Sequence, residues 1–278
     1  NRASVLGFLT DENHGYVFDL RESLEALKPR VYAPALLRHD ARRTAFRAGR
    51  DSLLEYAAYL HRIARDAGLP LEGFKQVRAY VSANRLVLPR GVDSDGLYHE
   101  LEWLEKTLRE RWYRGHRDRA LDVLIHRLDV MERMVNISVS PAELAEYRRD
   151  PEGFRVAMFA RYIRQADPTG EITVDEDVFH LDEALAEVAY FYDVADARSR
   201  AFVANLRSGM REAETDLALL VTGGYHAADV LSELRRQGIG YVAVKPRLET
   251  PDRVNPYFSL LRGRVTPLEK LLARNQDI

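Results

Sequence analysis

The sequence predicts an α/β fold of predominantly helical content, in which a small parallel sheet carries a large helical insertion. Three observations point to it. Residues 217–221, LALLV, form a continuous apolar run of the kind found in strands covered on both faces, followed by TGGYH and a helical stretch. A second apolar run, YVAV at 241–244, follows Gly238, so that strand, helix and strand make a compact βαβ unit with a right-handed crossover. Between residues 16 and 181, apolar residues recur at three- and four-residue spacing, the signature of amphipathic helices.

The chain has 278 residues, 46% of them hydrophobic, enough for a substantial core. Its 41 basic and 43 acidic residues leave a formal net charge of -2, and no general electrostatic footprint for nucleic acid or an anionic membrane. Basic clusters such as Arg109–Arg119 are interrupted by Glu and Asp and read as solvated helix faces. The absence of cysteine excludes disulfides, thiolate metal sites and a Cys nucleophile. No apolar stretch approaches the ~20 residues that span a bilayer, so no membrane span is expected. The first residues, NRASVLGFLTDENHG, carry neither an initiator Met nor a signal-peptide core, and the chain is expected to begin inside a longer protein.

In chain order, ASVLGFL (3–9) reads as a strand ending in the polar turn TDENHG. Val17, Leu20, Leu24 and Leu27 mark a helix that Pro29 and Pro34 interrupt, and Leu36, Leu37 and Ala41 mark a second before Gly49. A third starts at the N-cap Ser52 and stops at Gly68. Residues 97–135 hold two stripes, Leu97, Leu101, Leu104 and Leu108, then Leu121, Leu124, Leu128, Met131 and Val135, separated by the polar RGHRDR. They predict an antiparallel helical hairpin. Ser140, Pro141 and Glu143 form a capping-box start, Pro151 divides the run that follows, and a long helix begins near Leu181. The α/β core is thus expected at 1–15 and 182–278, and the helical insertion at 16–181.

Two short parallel strands do not make a stable sheet, and one more from 3–9 leaves it small. The remaining strands are expected from an upstream fragment of the same precursor or from another protein chain. At the carboxyl edge of such a sheet, where ligands bind in open α/β folds, lie Gly223, Gly224 and His226. The glycines admit close approach to the backbone. A neutral imidazole at a helix start suits a general base or a metal ligand, which makes a divalent metal the cofactor to test for. The next strand end delivers Lys245 and Arg247 for an acidic substrate group, and the turn after the first strand offers the carboxylates Asp11 and Glu12. The same residues also fit a tight turn and a histidine with only local hydrogen bonds.

The stretch RSRAFVANLRSGM followed by LALLVTGGYHAADVLSELRRQGIGYVAVKP resembles the C-terminal half of the erythromycin-esterase, ChaN-like, TraB and Tiki superfamily. The matching residues are Arg198, Asn205, Gly223 and His226. The middle of the chain, with KPRVYAPALLRHD and SLLEYAAYL, is similar to long bacterial proteins with the same ending. The resemblance implies an α/β core with a helical insertion and, for some members, hydrolytic chemistry that is metal-assisted or based on His and Glu; other members bind haem. With it, His226 is expected as base or ligand, and Arg198 and Asn205 in support from the preceding helix; Glu12, placed by the turn after the first strand, is the candidate carboxylate of this chain. Two departures stand out: Ser199 occupies the place where many relatives have Asp, and the family's first His- or Glu-bearing motif would lie upstream of Asn1. The expected function is therefore part of a hydrolase-like domain, incomplete without an upstream segment or partner. The alternative is a non-catalytic assembly subunit that makes protein contacts through its helical hairpin.

Overall fold

A computed structural model of the chain describes residues 11–84 and 91–244. Ten α-helices and two 3-10 turns account for their regular structure. The helices are α1 (Asp11–Val31), α2 (Pro34–Arg47), α3 (Leu53–Asp66), α4 (Lys75–Ala83), α5 (Ser94–Trp112), α6 (His116–Val135), α7 (Pro141–Arg149), α8 (Val156–Ala166), α9 (Leu181–Glu212) and α10 (Gly224–Arg236). Local chemistry sets many of their ends. Ser52 and Ser140 both accept from the backbone N–H three residues on, while Glu55 and Glu143 return to the cap backbone, closing two capping boxes. Gly49, Gly68 and Gly238 follow helix ends with φ of +71°, +66° and +68°, a region open to glycine. Helix α1 runs through Pro29 to Val31, because a proline so near the helix end removes only one late hydrogen bond. Among the described residues no helix is long and apolar enough to cross a membrane.

The described residues do not adopt the expected α/β fold. No strand or sheet occurs among the described residues, and the βαβ unit is replaced by one helix, α10, between two segments without regular structure. Leu217, Leu219 and Val221 are 85%, 89% and 84% exposed, and Val242 and Val244 91% and 86%. An apolar run becomes a strand only when a neighbouring backbone pairs with it, and no such neighbour is found among the described residues. The strand expected at 3–9 lies outside them.

The chain divides into two units. Of the described residues, 11–21, 127–161 and 174–244 belong to one, and 22–84, 91–126 and 162–173 to the other. In the second unit, the α5 stripe of Leu97, Leu101, Leu104 and Leu108 is buried with Tyr56, Ala57, Leu60 and Ala64 of α3 and Val77 and Tyr80 of α4. Both helices of the expected hairpin are present, but the α5 stripe is covered by α3 and α4. Nor is 109–119 wholly a solvated face, since Arg109 and Asp118 are buried. Arg109 Nε donates to Asp122 Oδ2 at 2.7 Å, and its Nη1 lies 3.5 Å from Asp40 Oδ1. Tyr32 and Tyr113 donate to the same Asp122, and Lys28 donates to Asp40 at 2.6 Å.

In the first unit, α9 is 32 residues long and buries Leu181, Ala184, Leu185, Val188, Tyr192, Ala195, Ser199 and Val203 along one face. Helix α10 packs against it through Val203, Val230 and Leu234, with Phe202, Leu220, Leu231 and Ile239 at the margin.

Candidate functional site

The site is assembled where the N-terminus of α10 meets α9. Gly223 is the extended N-cap of α10, with φ -66° and ψ 154°, and its carbonyl accepts from the His226 N–H at 3.1 Å. Tyr225 and His226 therefore sit in the first helical turn and meet Asp196 and Ser199 of α9, three residues apart.

His226 Nδ1 lies 2.9 Å from Ser199 Oγ. The hydroxyl also donates to the Ala195 carbonyl, one turn back, at 3.3 Å. With its single proton placed there, Ser199 accepts from Nδ1–H, and Nε2 is left as the unprotonated nitrogen. Burial, followed by the charge of Arg198, lowers the imidazole's affinity for a proton, while Asp229 and Asp196 oppose this in part. Phe202 and Tyr225 meet the ring edge-on, with centroids 5.2 and 5.5 Å away. The result is a neutral, oriented imidazole.

Beside it lies a charged set. Tyr225 donates to Asp196 Oδ1 at 2.6 Å, and Arg148 reaches Asp193 and Asp196 at 2.5 and 2.9 Å. Burial, then the hydrogen bond to Asp196, pushes the Tyr225 hydroxyl up, so it acts as a donor. The Tyr192 ring closes the set, 5.1 Å from that of Tyr225.

Arg198 is exposed on α9, its guanidinium carbon 5.9 Å from the Phe202 ring centre, and it reaches His226 only through its charge. Asn205 is exposed two turns further along. A Cβ added to Gly223 or Gly224 would meet nothing within 4 Å, so packing does not require either glycine. Glu12 is exposed in α1, where its charge acts on Tyr16 together with Asp175 and Asp177; the charged groups acting on His226 are instead Arg198, Asp229 and Asp196. Lys245 and Arg247 lie outside the described residues. No metal site is shown: among the described residues, no group of three or more His, Cys, Asp or Glu could hold an ion.

Ser199, Asp196, Tyr225 and Arg148 were not expected as site residues. Their signal was present, since Asp193, Asp196 and Ser199 lie at helical spacing on one face of α9, in register with the buried Tyr192 and Ala195. Ser199 is 1% exposed, which makes it a positioning group for His226 and withholds it from any substrate. Compared with known proteins, the chain matches no family model, no curated protein and no solved structure.

Proposed function

We propose that this chain is an assembly subunit that docks an apolar segment of another protein chain beside α10. The exposure of Leu217, Leu219, Val221, Val242 and Val244 carries this reading. Isolated exposed apolar residues are common, but several in one segment without regular structure suggest a surface awaiting a partner. Leu220, between two of them, packs on the α9–α10 cluster and anchors the segment. Among the described residues, the backbone of 218–222 makes no hydrogen bond, which leaves donors and acceptors for a partner's main chain. Covering each side chain contributes about 1.5–3 kcal/mol before the costs of association. The hairpin stripes are poor candidates for the contact, because they are already buried.

The test is native mass spectrometry of the chain isolated from its own cells. A second polypeptide is expected in fixed stoichiometry, released by the double substitution Leu219→Asp and Val242→Asp. A chain that is monomeric under the same conditions refutes the reading.

A second reading, the hydrolytic site implied by the superfamily resemblance, is favoured by the Ser199–His226 contact. In it, Nε2 of His226 takes a proton from water attacking a carbonyl, Gly223 and Gly224 leave room for the substrate, and Arg198 and Asn205 support the site. The isolated chain is expected to be inactive on p-nitrophenyl acetate. Hydrolysis abolished by His226→Ala would show that no partner is needed and would favour the enzyme.

A further inference from the structure

A second site lies in the other unit, between α2 and α3. A broadly open depression of about 580 Å³ is lined by Arg42, Glu55, Ala58, Tyr59 and Arg62. On α3, Glu55, Ala58, Tyr59 and Arg62 follow three- and four-residue spacing and share one face; the small Ala58 leaves the floor open. Arg38, one turn before Arg42 on α2, contributes a third positive charge that acts on the Tyr59 hydroxyl.

The guanidinium carbons of Arg42 and Arg62 each lie 5.8 Å from the Tyr59 ring centre. The ring is also stacked with His39, at 5.9 Å and an interplanar angle of 10°. Arg42 Nε is held 3.0 Å from Asp51 Oδ2, yet neither of these buried atoms has hydrogen-bond geometry. Arg62 makes no ion pair among the described residues. The one carboxylate in the lining, Glu55, is turned to the start of α3, where Oε2 accepts from Ser52 N and Oγ, both at 2.7 Å. Arg42 shares its charge with Asp51 and Glu55 is turned to Ser52, but with Arg62 and Arg38 the three arginines outnumber the two acids. Guanidiniums over one aromatic ring with a net positive charge suit an oxyanion.

We infer that this depression binds a phosphate group, bridged between Arg42 and Arg62 above Tyr59, with room beside it for the body of a small phosphorylated metabolite. Burial keeps His39 neutral, so the site draws its charge from arginine alone and holds it across neutral pH.

The test is calorimetric titration of the full chain with inorganic phosphate and with phenyl phosphate. Saturable one-to-one binding is expected, tighter for phenyl phosphate because the ring adds contact. Arg62→Ala is expected to weaken both about tenfold or more, and Arg62→Lys to restore only part, since a point charge does not reproduce the fork. Arg62 is exposed, so its variants are expected to melt with the parent, and Tyr59→Phe, which keeps the ring, is expected to bind like it. Absence of saturable binding in the parent chain, or Arg62→Ala binding as the parent does, overturns the inference. Because these residues are separate from the face around Leu219, failure here leaves the docking reading standing, and the reverse also holds.

Discussion

Arg109 and Arg148 do the same thing in different surroundings. Each arginine bridges two aspartates, Asp122 and Asp40 for Arg109, Asp193 and Asp196 for Arg148, and in each set a tyrosine donates to one of those carboxylates. The Arg109 side chain is 6% exposed, that of Arg148 37%. Burial pulls the Asp122 carboxyl up, but the Arg109 hydrogen bond and charge more than offset this and hold it below the usual carboxylate range. Such a set has lost its water and must satisfy itself, whereas the Arg148 set still exchanges partners with solvent. One constellation is thus structural cement and the other is available to a ligand or partner; burial decides which.

The largest expected effect tests the buried side. Arg109→Met leaves Asp122 and Asp40 without their cation and is expected to cost about 3–5 kcal/mol in urea unfolding. A loss below about 1 kcal/mol would mean that water reaches these aspartates.

The next expectation concerns His39, fully buried in the same unit. Burial, helped by the charges of Arg109 and Arg43, lowers its pKa to about 4, against about 6.5 unfolded. The unfolded chain therefore binds the proton first as pH falls. Stability from this group is complete above about pH 6.5 and is lost towards pH 4, by up to about 3 kcal/mol. His39→Phe should flatten that part of the stability profile; an unchanged slope would assign it to other groups.

In the other unit, Ser199→Ala removes the Nδ1 partner of His226 and is expected to cost about 1 kcal/mol. The sharper readout is the imidazole nitrogen shifts, which should move from one dominant tautomer to a mixture. Smallest of all, Arg148→Met is expected to change stability by no more than about 1 kcal/mol. A loss approaching that of Arg109→Met would erase the distinction between the two sets.

Much of the helical architecture was legible because its signals are local. Ser52 with Glu55, and Ser140 with Glu143, specify helix starts within four residues, and Gly68 and Gly238 mark stops in the same way. The sheet was misread because LALLV and YVAV state only that no charge interrupts them. Whether such runs are paired, buried or exposed depends on residues far away in sequence, and periodicity is uninformative over four or five positions. His226 was found from its place after two glycines. Asp196 and Ser199 were missed because one polar residue per turn on a long helix looks like an ordinary wet face until a second helix covers it. Arg109 was misjudged for the same reason, within a stretch dense in charge.

The small cluster holding α10 to α9 has a consequence for how the molecule comes apart. Three buried side chains, Val203, Val230 and Leu234, secure that contact, against eleven in the cluster around α5. Local opening free energy follows such burial, so α10 amides should exchange with deuterium well before those of α5. Each opening also separates His226 from Ser199, returning the imidazole to its free tautomer balance and proton affinity. His226 is therefore a native probe of the docked helix, and its ring resonances should report the first cooperative loss of structure before the main melt begins.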